Sequence, residues 1–104
     1  MNDHVLEKEI QAKGLNAPRL TPESIEATIS KEDYIYSPLA PTLTICILIL
    51  NNGFTVVGES ACASPENFNK ELGQKIARDN AKGKIWALEG YVLKHKLFNG
   101  YANN

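Results

Sequence analysis

The sequence has only two cysteines, Cys46 and Cys62, too few for the disulfide framework of a small secreted domain. It has two histidines, His4 and His95, far apart in sequence and without Cys, Asp or Glu neighbours at ligand spacing, so no metal site is predicted. No apolar run comes near the roughly 20 residues of a spanning helix; the longest is Leu43 to Leu50. No basic-then-apolar leader opens the chain. Nor is there an excess of positive charge: the net charge of -1 argues against strong nucleic-acid binding. Gly58 and Gly73 fit no phosphate-loop spacing. Cys62 and Ser60 have no adjacent base, and Glu59 has no visible second carboxylate. The expectation is a cytoplasmic protein with free thiols and no cofactor, and not an enzyme.

What remains is one domain's worth of chain, 104 residues with an ordinary apolar fraction of 43%. Its charge is unevenly spread. Residues 1–41 carry four basic and seven acidic side chains, whereas residues 65–97 carry seven basic and four acidic.

Residues 1–17 read as weakly ordered, with a short helix capped by Asp3 and ended by Gly14. Thr21-Pro22-Glu23 is a helix start, giving a short helix over about 22–30 with Ile25 and Ile29 on one face. Lys31-Glu32-Asp33 closes that helix into an extended stretch at 34–36, and residues 37–41, with two prolines, read as a loop. An antiparallel β-hairpin is predicted over about 42–60, turning at Asn52-Gly53. A two-residue turn there pairs Ile49 with Val56 and Ile47 with Gly58. It puts Ile45, Ile47, Ile49, Phe54 and Val56 on one face, and Cys46, Leu48, Leu50 and Val57 on the other. Cys46 and Cys62 are not opposite one another on this pairing. Ser64-Pro65-Glu66 starts a long helix over about 65–97, which Gly83 or Gly90 can interrupt. Residues 99–104 read as a loose tail. The fold class is α+β, with residues 18–98 as its single domain.

Both hairpin faces are apolar, and the long helix carries two apolar stripes. That is more apolar surface than the short helix can cover, so self-association as a homodimer or higher oligomer is expected.

One polar cluster stands out. Lys75, Arg78 and Lys82 share a helix face, and Trp86 lies one turn further on. Cations beside an aromatic ring suit a small nucleotide-like anion, with Asn80 or Asn67 for hydrogen bonds and Phe54 as a second stacking ring. The other reading is a solvated helix edge, with Glu71 and Asp79 as counter-ions and Trp86 in the core.

The blocks Asn52 to Cys62, Ser64 to Phe68, Gly73 to Ala81 and Lys84 to Tyr91, together with Pro18 to Pro22, occur in order. Over about residues 18–97 they resemble a family of small phage and prophage proteins, known by gene product 49 and gene 66 of two enterobacterial phages. One departure is Ala87 after Trp86, where that family leads one to expect proline; the helix is expected to run straighter here. The resemblance implies an infected or lysogenic bacterial host. In plan the chain also looks like the Thoeris anti-defence sponges, which sequester nucleotide signals. The leading expectation is capture of such a signal. The runner-up is a factor that inhibits or redirects a host protein through the apolar hairpin face.

Overall fold

The computed structural model describes residues 3–14 and 18–100. Its elements are α1 (Asp3–Ala12), α2 (Pro22–Ala27), β1 (Ile29–Ser37), β2 (Ala40–Leu50), β3 (Thr55–Ala61), a 3-10 turn at Pro65–Asn67, and α3 (Lys70–Asn99). The strands form an antiparallel sheet in the order β1-β2-β3, and α3 packs against one face of it. This is the expected α+β arrangement, with one strand more than the hairpin.

The extra strand comes from residues read as the end of one helix and a charged linker. Thr21 caps α2 as predicted: its hydroxyl accepts from the Ser24 amide at 3.0 Å, and the Ser24 hydroxyl accepts from the Thr21 amide at 2.9 Å. The helix then stops at Ala27, because β-branched Thr28 and Ile29 lead into β1, which pairs with β2 from Ile29↔Leu50 to Ser37↔Ala40. The predicted loop at 37–41 shrinks to Pro38 and Leu39. Pro41 is accommodated in β2 beside a register shift between Ile35 and Ser37; a second shift lies between Ile29 and Lys31.

The hairpin is where predicted, but its register is one residue off. The loop has three residues, Asn51 to Gly53. The Leu50 amide donates to the Phe54 carbonyl at 2.8 Å, and the Gly53 amide to the Leu50 carbonyl at 2.9 Å, with Gly53 at φ +88°. Asn51 is held in this loop from outside. Its side-chain amide donates to the Ala27 carbonyl and its backbone amide to the Thr28 carbonyl. The extra loop residue pairs Ile49 with Thr55, Leu48 with Val56 and Cys46 with Gly58. A one-residue slip exchanges the faces of a strand. Val56 therefore joins Cys46, Leu48 and Leu50 in the core, and Val57 joins Ile45, Ile47 and Ile49 on the outer face.

The helix cap also differs. The Ser64 side chain makes no cap bond, and residues 65–67 form only a 3-10 turn; Asn69 caps α3 by accepting from the Leu72 amide at 2.9 Å. From there α3 runs unbroken through Gly83 and Gly90 to Asn99, and Gly100 follows at φ +72°. The rest of the predicted tail, 101–104, lies outside the described residues. Ala77, Ala81 and Ile85, one turn apart, face the sheet and close the core with Ile25. The small size of Ala77 and Ala81 lets α3 lie directly on β3 at Gly58.

Candidate functional site

Arg78 and Lys82 lie where the sequence put them, on the side of α3 that faces α2 and β1, but their charge is already used. The Arg78 guanidinium donates two bonds to Glu26, at 2.9 and 3.0 Å, and one to Glu32 at 3.2 Å. Lys82 Nζ lies 2.8 Å from the same Glu26 carboxylate. The counter-ions named from sequence, Glu71 and Asp79, are not the ones engaged. Those engaged come from the acidic N-terminal part, about fifty residues away in sequence. The opposite charges of the two parts of the chain were the available signal: they are complementary to one another, and the complementarity is internal.

The electrostatics follow the geometry. Hydrogen bonds from Arg78 and then Lys82 hold the Glu26 carboxyl down from 4.5 to about 2. Those from Arg78 to Glu26 push Arg78 above the usual arginine range. Burial, and then donation of its hydroxyl to Glu32 at 2.6 Å, raises the Tyr34 phenol. Burial also pushes up the thiol of Cys46, which makes it a poor nucleophile. Cys62 is partly buried and donates to the Ser64 carbonyl at 3.2 Å.

Because Glu26 is depressed in the fold, its contribution to stability is complete above pH 4.5 and disappears as pH falls from there towards 2. Glu26 is 44% exposed, so solvent reduces the effect to about 1 kcal/mol. An acid titration of stability should fall less steeply between pH 4.5 and 2 for Glu26→Gln than for the wild type, and the two should differ most at neutral pH. Equal slopes would remove Glu26 as the cause.

The other predicted residues do not gather here. Asn80 donates from its side-chain amide to the Glu59 carbonyl of β3 at 2.7 Å. Trp86 packs against the core and, with Lys82, Gly83, Asp79, Asp3, His4 and Leu6, lines a hollow of about 490 Å³ between α1 and α3. Asn67 is exposed in the 3-10 turn, and Phe54 is exposed at the end of the hairpin. Lys75 is exposed on a different hollow, with Tyr34, Gln74 and Arg78. Sequence reasoning missed the neighbouring contacts of Tyr36, whose hydroxyl accepts from Gln74 at 2.6 Å and whose ring lies 5.1 Å from Lys70 Nζ.

It also missed the far end of α3. Tyr91, His95 and Phe98 stand exposed in a row, with ring centroids 6.2 and 6.5 Å apart. Their spacing of four and three residues was the signal. Among the described residues no three His, Cys, Asp or Glu side chains group closely enough to hold a metal ion, and no helix is long and apolar enough to cross a membrane.

No curated protein and no solved structure matches the chain, so comparison lends the likeness to the Thoeris sponges no support. One family pattern does match, over residues 20–97, and it takes in the sheet, its loops and nearly all of α3. With three quarters of its length so matched, the chain belongs to the phage protein (N4 Gp49/phage Sf6 gene 66) family.

Proposed function

We propose that this is a non-catalytic phage accessory protein that inhibits or redirects a host protein by binding it, with the Tyr91, His95 and Phe98 row as the contact. The observation that carries this reading is the exposure of these three stacked rings near the end of α3. Aromatic side chains dominate the energetics of protein contacts, because they bury large area at low entropic cost. Lys94 flanks the row and suits an acidic group on the partner.

Capture of a small anionic, nucleotide-like signal is the second reading. It is favoured by exposed Lys75 on its hollow of about 540 Å³ beside Tyr34 and Arg78. Against it, Arg78 and Lys82 would have to give up Glu26 to receive a phosphate.

Affinity capture from host lysate with the full chain should recover one partner, and Tyr91→Ala/Phe98→Ala should weaken that contact by about 2 kcal/mol or more without unfolding the protein. Calorimetry with cyclic and linear nucleotides should show no binding at millimolar concentration. Nucleotide binding lost in Lys75→Ala, with host capture unaffected by the aromatic variant, would reverse the order of the two readings.

A further inference from the structure

The sheet has two apolar faces and its own α3 covers one. On the other face Ile45, Ile47 and Ile49 run down the centre, with Ile35 on β1 43% exposed and Val57 on β3 41% exposed. A sheet face of this composition is normally covered by a second layer. Among the described residues none covers it.

Among the described residues, a second surface without a covering layer lies on α3. The row that faces the sheet, Ala77, Ala81 and Ile85, continues at helical spacing into Leu88 and Val92. Gly73 lies against Thr44 and Ser60, Gly58 against Ala77 and Ala81, and Leu88 shares a hollow with Phe54 at the hairpin end. The helix thus runs along the sheet towards the hairpin loop and passes it at about Leu88. Beyond that point the sheet-facing row has no sheet beneath it: Leu88 is 41% and Val92 43% exposed.

We propose that two copies of this chain close a two-fold dimer in which the projecting half of each α3 covers the outer sheet face of the other. The arrangement closes geometrically. With the hairpin loops of two copies pointing at each other, the sheets lie end to end and the two helices on opposite sides. Each helix then covers its own inner face with its first half and reaches the partner's outer face with its second half. The apolar row of α3 thereby meets the same kind of surface along its whole length. Charge agrees as well. Lys96, one turn beyond Val92 on the projecting half, meets an outer sheet face on which Asp33 and Glu59 outnumber Lys31. A contact made twice by symmetry closes and does not propagate.

The test uses exposed positions, so the variants retain their folded core. The wild type should sediment as a dimer at tens of micromolar. Val57→Glu alone and Val92→Lys alone should each weaken association by roughly tenfold or more, with unchanged circular dichroism. Mixed in equal amounts, the two variants should associate again, because one contact in the mixed dimer is wild type and the other sets the introduced lysine against the introduced glutamate. A monomeric wild type overturns the proposal. So does a dimer whose photo-crosslinks from position 92 land on the partner's α3 instead of its β2 or β3. Failure of the mixture to associate more strongly than either variant alone overturns it too.

Discussion

Gly58→Ala should destabilise the protein by about 3 kcal/mol or more, a larger loss than any change to its charged side chains. A Cβ at Gly58 would lie 2.2 Å from both the Ala77 carbonyl oxygen and the Ala81 amide nitrogen. Both are backbone atoms inside a regular helix, so no side chain can rotate away. The only relief is to lift α3 off β3, which opens the core around Val56, Leu48 and Ile85. Chemical denaturation should show a much lower midpoint, or a chain that does not fold. Gly83→Ala, where an added Cβ meets nothing within 4 Å, is the control and should not destabilise. A Gly58→Ala protein within about 1 kcal/mol of wild type would mean that helix and strand are not in backbone contact.

Leu48→Ala should cost about 3 to 4 kcal/mol. Leu48 is fully buried at the centre of the middle strand, with Val56 opposite it and α3 beneath. Truncation leaves a cavity that neighbours fixed in a sheet cannot fill. The same pairing sets a contrast on β3: Val56→Ala should cost about 2 kcal/mol, and Val57→Ala less than about 1 kcal/mol in the isolated subunit. Equal costs at 56 and 57, or the reverse order, would restore the register that a two-residue turn implies. Equilibrium unfolding in urea resolves differences of this size.

That register shows where sequence reading stops. Asn52-Gly53 marks a turn, and both strands flank it as expected. Whether the loop takes two or three residues is decided elsewhere, because Asn51 is claimed by the carbonyls of Ala27 and Thr28. No pattern local to the hairpin contains that information. β1 was missed for a related reason. Lys31-Glu32-Asp33 carries no apolar alternation. Glu32 lies on the inner side of the sheet, where it receives Tyr34 and Arg78. A strand stabilised by ion pairs to a helix far along the chain looks like a linker in one dimension. The candidate site was half visible for the same cause. Lys75, Arg78, Lys82 and Trp86 follow from helical spacing. Their surroundings depend on Glu26 and Glu32, brought in by the tertiary fold. The second apolar stripe of α3 was also legible, but its division into a covered half and a projecting half required knowing where the sheet ends.

The register shifts in β1 and the amide of Asn80 have a bearing on how this sheet avoids growing. An open strand edge invites another chain to add a strand, a common route to aggregation. Here β1 is irregular at both ends, between Ile29 and Lys31 and between Ile35 and Ser37, and carries three consecutive charged residues between them. On β3, Asn80 occupies the Glu59 carbonyl that an incoming strand would need. Strand addition is obstructed on both sides, which restricts the associations of this sheet to surfaces built from side chains.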